Sequence, residues 1–301
     1  MLLEPSFIHR LDLLTLATKA ATSGSGAGGR RSPAVGASVE FRDFRTYSPG
    51  DDYRRVDWNT YARLERLFLR LYQAEEQTCV TFLLDCSASM EQGGTADSLE
   101  GSKFRAAQRL AAALSYIALH GDDMVAVGAV GQRLAAYLPP RGGRQVAGEV
   151  WGFVERLQPS SRGPAGSDLA AALRDAAAHL RRGGLTFVLS DLLTTSDWRR
   201  GLLALRAAKQ QVTLLQILSP DELNPSLRGD LALVDRETGA RREVTVTAAA
   251  VRAYQERLAA YTQEIAAYCH GHDIAFLQLS SALSLADVVL RVLRKNGVVR
   301  A

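Results

Sequence analysis

Residues 81–91, TFLLDCSASME, pass from an apolar run into one acid and two hydroxyls at alternate positions, Asp85, Ser87 and Ser89. An extended segment turns alternate side chains to the same side, so these three oxygens can face a common point. A second apolar run, LTFVLSD, closes on Asp191, and Ser167 opens the helical sequence SDLAAALRDAAAHL. If the two runs are neighbouring parallel strands, both acids lie at carboxyl ends, where open α/β sheets collect their ligands. Two facing carboxylates then either raise one pKa or share a cation. Asp85, Ser87, Ser89, Ser167 and Asp191 are five hard oxygen donors, a set suited to Mg²⁺ or Mn²⁺, with Ca²⁺ as a further taker of oxygen ligands, rather than to zinc. Only two of the five are charged, so a bound cation keeps positive charge and water that an incoming carboxylate can replace. Each residue also has a plainer use: the serines can cap turns and helices, with Ser167 placed to N-cap its own helix, and Asp191 can be a solvated loop acid. The combination at two strand ends and one helix start favours the metal site.

Other chemistries fit less well. A haloacid-dehalogenase phosphatase needs a second Asp two residues after its nucleophile, and Ser87 stands there. A Cys86 phosphatase needs an arginine cradle that SASMEQGG does not supply, and a serine hydrolase would show GxSxG with a histidine base. His270 and His272, in CHGHD, read as a polar loop before a strand.

The elements that must position these residues follow from the apolar rhythm. Residues 7–20 carry Ile8, Leu11, Leu14, Leu16 and Ala17 at near-helical spacing, and 23–38 is a Gly/Ser-rich linker. From 39 to 76 the pieces VEFRDFR, VDWNTYARL and LFLRLYQ read as mostly β, with Pro49-Gly50 as a turn. Beyond residue 78, strands CVTFLLD, MVAVGAVG, RLAAYLP, LTFVLSD, QVTLLQIL and IAFLQL alternate with helices such as 104–120, which ends at Gly121. That alternation predicts an α/β fold, a mainly parallel Rossmann-like sheet with helices on both faces. One interruption, 229–247, reads as a β-hairpin turning at Glu237-Thr238-Gly239, expected beside the β pieces of 39–76 as a small β subdomain. The expected organisation is therefore a helix and linker over 1–38, a β-rich segment over 39–77, and an α/β domain over 78–301 with the hairpin inserted at about 222–247.

Composition sets the outer limits. A chain of 301 residues, 47% hydrophobic, can bury one large core or one core with a satellite. No run of about 18 apolar residues is free of charge, and the first twenty residues lack a signal-peptide pattern, so no membrane span is expected. Cys79, Cys86 and Cys269 are too few for a disulfide framework and suit a reducing cytoplasm as small buried hydrophobes. The net charge of +4 permits nucleic-acid binding, but Asp43, Asp51, Asp52, Asp57 and Glu65 interleave the arginines of 42–70 and leave no basic stripe for phosphates.

Asp-x-Ser-x-Ser after an apolar strand, a hydroxyl before a helix and an Asp after another strand together resemble the metal-ion-dependent adhesion site of von Willebrand factor A domains. The matching residues are Asp85, Ser87, Ser89, Ser167 and Asp191. That family usually has Thr where Ser167 stands and Gly where Leu192 follows Asp191. Upstream, Glu40-Phe41-Arg42, the run YSPGDDYRRVDW, Ala62-Arg63 and the later DLALVDRETG are similar to the bacterial family called domain of unknown function 58. Within 42–63 the physical expectation is a salt-bridged corner with Trp58 as packing. The resemblance implies a cytoplasmic adaptor or co-chaperone of a MoxR-type AAA+ ATPase. Expected, then, is a non-enzymatic interaction module that captures a partner's or client's Asp or Glu through a divalent cation. The alternatives are a Mg²⁺-dependent phosphohydrolase and a scaffold whose metal site is empty.

Overall fold

The computed structural model describes residues 2–17, 35–48, 51–53, 56–73, 77–93, 101–159 and 167–300, with backbone alone for 35–44 and 70–73. The chain divides into two units, Met1–Leu16 with Thr78–Ala301, and Ala17–Gln77.

The larger unit is organised by three largely apolar runs, each broken by one or two buried polar residues such as Thr81, Thr186, Thr213 and Gln216. β4 (Cys79–Asp85), β7 (Leu185–Ser190) and β8 (Gln211–Leu218) are buried along almost their whole length, as strands covered on both faces must be. With β5 (Met124–Val130), β6 (Leu134–Arg141) and β11 (Ala275–Ser280) they make a six-stranded sheet of order β11-β8-β7-β4-β5-β6, parallel except for β6. Strand alternation divides the core in two: Val80, Phe82 and Leu84 enter one cluster, while Leu83 enters the other with Val188 and Leu214. Phe82 and Phe187 stack across the central pair with centroids 5.3 Å apart. The first cluster is covered by α3 (Lys103–His120) and α4 (Ala147–Arg156), the second by α5 (Leu169–His179), α6 (Trp198–Ala207) and α8 (Ala248–Gly271). The expected α/β sheet with helices on both faces is thus present.

Several boundaries differ from the sequence reading. The first helix, α1, spans only Pro5–Leu11; a turn follows, and β1 (Thr15–Leu16) pairs with β12 (Val299–Arg300). Leu2, Leu3, Phe7, Leu11, Leu14 and Leu16 are buried in the main core, so this segment belongs to the α/β unit rather than to a separate arm. Much of the expected linker, 23–34, lies outside the described residues. The hairpin of β9 (Gly229–Val234) and β10 (Arg241–Val246) forms as expected, but among the described residues its strands pair only with each other and not with the β pieces of 39–76. Between β8 and β9 lies the short α7 (Pro220–Leu223). After β11, α9 (Leu285–Asp287) runs into a π-helical stretch, Val288–Leu293. His270 lies in the last turn of α8 and His272 caps it, stacked on Tyr268 at 4.0 Å, so the expected loop is helix end.

In the smaller unit, β2 (Val35–Thr46) and β3 (Phe68–Gln73) form an antiparallel pair. The strand-like VDWNTYARL is instead α2 (Trp58–Leu64), because the Asp57 carboxylate accepts the N–H groups of Asn59 and Thr60 and caps a helix that residue propensities alone would not favour. Trp58, expected to pack, is exposed and meets Tyr61 edge-on. The salt-bridged corner is seen at Arg45 and Asp51, 2.6 Å apart; Pro49, Gly50, Arg54 and Arg55 lie outside the described residues.

Candidate functional site

β4 and β7 are adjacent and parallel, with Leu84 level with Leu189, so Asp85 and Asp191 emerge together at the carboxyl edge of the sheet. Asp85 is buried, and its two oxygens are held by the chain: Oδ1 accepts the Ser87 N–H at 2.8 Å, and Oδ2 accepts the Ser190 hydroxyl at 2.5 Å. Ser190 in turn accepts the Leu192 N–H at 2.9 Å, which ties the two strand ends. Ser87 and Ser89 lie at the start of a 3-10 turn, Ala88–Glu91, and their Oγ atoms are 3.0 Å apart. Cys86 and Ala88 alternate with them and are buried.

Asp191 is also buried, and Leu193 donates its N–H to Oδ1 at 2.9 Å. Leu192 adopts φ 57°, the left-handed region where Gly carries no steric penalty and other residues cost about 1–2 kcal/mol. Here its side chain is 1% exposed, packed in the second core, and Tyr261 donates its hydroxyl to the Leu192 carbonyl at 2.8 Å. Burial of this side chain offsets the strain.

Three residues at this edge escaped the sequence reading. Lys103, the first residue of α3, is wholly buried, and its Nζ donates to Asp191 Oδ2 at 2.6 Å and to Glu222 Oε1 at 2.5 Å. Glu222 closes a capping box with Ser219 at the end of β8, a third strand end carrying an acid. Glu237, at the tip of the β9–β10 hairpin, accepts the Ser89 N–H at 2.8 Å. A serine and an acid directly after an apolar strand were signals for Glu222; no local signal marks Lys103 or Glu237.

Ser167 is half-buried and immediately precedes α5, but the helix is capped by Asp168, whose carboxylate accepts the Ala171 N–H. Among the described residues Ser167 makes no hydrogen bond to the other four. The structure therefore brings Asp85, Ser87, Ser89 and Asp191 to one edge and leaves Ser167 at the neighbouring helix start.

The electrostatics follow from burial. Loss of water, then the nearby Asp191 carboxylate, push the Asp85 pKa from 3.8 to about 6, against the opposing hydrogen bonds from Ser190 and Ser87. Burial first, then Asp85's charge, raise the Cys86 thiol far above its usual range, so it does not supply a thiolate nucleophile.

A hard divalent cation fits this donor set. Adjacent ligands of an octahedral ion at about 2.1 Å stand about 3.0 Å apart, the separation of the Ser87 and Ser89 oxygens. Among the described residues, Lys103 bridges Asp191 and Glu222, while Asp85 and Glu237 accept the N–H groups of Ser87 and Ser89. Asp85, Ser87 and Ser89 would hold the ion, with Asp191 shared between it and Lys103.

The sheet order puts β4 and β7 side by side at its centre, with the site at their carboxyl ends. Among solved structures, the chain is similar to the BatB protein of Bacteroides thetaiotaomicron, at 16% identity and TM-score 0.44, covering 73% of this chain and 96% of that one. It is also similar to the SpRpn10 VWA domain, at 13% identity and TM-score 0.39, covering 71% and 94%. Among curated proteins, it is 28% identical to the uncharacterized protein Rv1480 of Mycobacterium tuberculosis over 287 residues, 95% of this chain and 89% of that protein. The same identity and coverage hold for the uncharacterized protein Mb1516 of Mycobacterium bovis. No helix among the described residues is long and apolar enough to cross a membrane. The family model described as "Protein of unknown function DUF58" matches residues 43–265, and the chain belongs to that family.

Proposed function

We propose that this protein is a non-enzymatic, metal-dependent interaction module. The observation that carries this reading is the convergence of Asp85, Ser87 and Ser89 at the carboxyl end of β4, with hydroxyl oxygens 3.0 Å apart and Asp191 on the neighbouring strand. Bound there, a Mg²⁺, Mn²⁺ or Ca²⁺ ion supplies an open coordination position for a carboxylate offered by another protein. The chain's own part is to hold the oxygens in place: Ser190 fixes Asp85, and Lys103 and the Leu193 N–H fix Asp191. Among the described residues, the groups that hydrogen-bond Asp85 are the Ser87 N–H and the Ser190 hydroxyl, and the buried Cys86 thiol stays protonated, so Cys86 is not a nucleophile in this reading. The partner implied by the family resemblance is a MoxR-type AAA+ ATPase, with this chain as its adaptor or co-chaperone. A cytoplasmic location belongs to the same reading and is supported by three free, buried cysteines.

The test is capture of a MoxR-type AAA+ ATPase by the immobilised full chain with and without EDTA. Capture that falls on chelation, and falls equally for Asp85→Ala with circular dichroism unchanged, agrees with the proposal. Full capture in EDTA contradicts it.

One observation favours a second reading. The Lys103 ammonium already sits against Asp191 and Glu222, so a metal-free scaffold could use it as the resident cation. On that reading Mn²⁺ does not bind to the wild-type chain.

A further inference from the structure

A cavity of about 310 Å³ lies beyond the carboxyl ends of β8 and β11, between the first turns of α3 and residues 280–288. Ile217 and Leu279 are level on these two parallel strands, and with Leu110 and Val288 they give it a buried apolar floor. Arg105 and Arg109 stand at i and i+4 on α3, so one helix face brings both guanidiniums to the cavity. Ser280, the last residue of β11, also lines it; its Oγ accepts the Ala282 N–H at 3.3 Å and keeps a proton to donate. Ser281 donates its hydroxyl to the Gly101 carbonyl at 3.5 Å and so ties the two sides together. Val288 is where α9 passes into the π-helical stretch. Such wide turns are rare and recur at functional sites.

A space of this size stands at the lower end of small-molecule sites, about 300–1,000 Å³, in which an apolar lining carries a few placed polar groups. Here those groups are cationic. Among the described residues no acid lines the cavity. Asp287, beside Val288, is engaged by the Ser284 hydroxyl at 2.6 Å and by Arg291 at 3.1 Å. Arg105 Nη1 donates to Gln108 Oε1 at 3.3 Å, and its charge acts on Glu155. A guanidinium has five N–H donors, enough to keep such contacts and hold an oxyanion as well. Two like charges at i and i+4 repel, and an anion between them reverses that cost. The helix start is already used by the chain itself: Ser102 Oγ accepts the Arg105 N–H, and the Gln92 carbonyl accepts the Lys103 N–H. Recognition of an anion therefore falls to the side chains.

We propose that this cavity binds a small phosphate monoester, with its apolar body on the Ile217–Leu279 floor and its phosphate between Arg105 and Arg109. Two fork-shaped guanidiniums match a group that carries up to two charges and three acceptor oxygens. The Ser280 hydroxyl is the third donor. Binding there needs no metal and does not depend on the cation site at the β4–β7 edge.

The test is calorimetric titration of phenyl phosphate into the full chain in EDTA, beside inorganic phosphate and benzyl alcohol. Wild type is expected to bind phenyl phosphate more tightly than either of the others. Arg109→Gln should weaken that binding about 10- to 100-fold, the loss expected for one charged hydrogen-bonding partner. Ala282→Trp, at an exposed lining position, keeps both arginines but fills the mouth, and should abolish binding. Circular dichroism reports folding, and if Arg109→Gln fails to fold, Ala282→Trp decides alone. Three results overturn the proposal: no binding of phenyl phosphate to folded wild type, equal affinity for inorganic phosphate or for benzyl alcohol, or undiminished binding in either folded variant.

Discussion

Replacing Asp85 by Asn separates the electrostatic cost of the site from its geometry. The folded Asp85 pKa is raised from 3.8 to about 6 by burial and by Asp191. A raised folded value means the native state holds its proton more tightly than the unfolded chain. The associated stability is therefore complete below about pH 4 and is lost as pH rises through about 6. A displacement of this size corresponds to roughly 3 kcal/mol at neutral pH. Asn removes that charge but cannot accept the Ser190 hydroxyl with its amide nitrogen, which costs on the order of 1 kcal/mol. In EDTA at pH 8 the variant should be more stable by about 2 kcal/mol, a rise in melting temperature of roughly 3–4 °C for a chain of this length. At pH 4.5 the two chains should be about equal, and at pH 3.5 the order should reverse. Added Mg²⁺ should raise the wild type, by about 2.7 kcal/mol at 100 times the dissociation constant, and leave the variant unmoved. Thermal unfolding by circular dichroism at the three pH values reads all of this. An Asp85→Asn chain less stable than wild type by the same amount at all three pH values would refute the account of Asp85 as a strained, cation-seeking carboxylate.

Other expectations concern the residues that hold the site. Lys103→Met leaves Asp191 and Glu222 buried without their shared ammonium, and chemical denaturation should show a loss of about 3–5 kcal/mol. A loss below 1 kcal/mol would mean the ammonium is not the counter-ion. At Gly201 an added Cβ would lie 2.8 Å from Leu173 Cβ and 3.2 Å from the Ala170 Cα. Gly201→Ala therefore sets a gain of about 1 kcal/mol in helix propensity against about 1–3 kcal/mol of overpacking between α5 and α6. Equilibrium unfolding should show net destabilisation near 1 kcal/mol, and a stabilised variant would contradict the close packing.

How much of this was legible in the sequence depended on how local the cause was. β4, β7 and β8 could be read because strands buried on both faces need largely apolar runs, and α3 because Ala and Leu fill it until Gly121. Asp85, Ser87, Ser89 and Asp191 could be placed because strand ends are visible as the point where apolarity stops. α2 was hidden because the aromatic and β-branched residues of VDWNTYARL favour strands, and one side chain, Asp57, decides for helix. The expected N-terminal helix was too long because Thr15 and Leu16 serve a strand pairing with Arg300 and Val299, at the far end of the chain. Lys103 was invisible as a buried cation because the acids that make its burial tolerable lie 88 and 119 residues further on. Glu237 looked like a turn residue, which it is, and its contact with Ser89 depends on where the hairpin folds back.

The central claim is that the β4–β7 edge holds a divalent cation through Asp85. It is met most directly by titrating Mn²⁺ into the full chain at pH 7.5 and following the free-ion signal by electron paramagnetic resonance. Loss of free Mn²⁺ to one site per chain in wild type, with none lost to a folded Asp85→Ala variant, is the result the account predicts. An unchanged free-ion signal in the presence of folded wild-type protein would contradict it and leave Lys103 as the cation of this site.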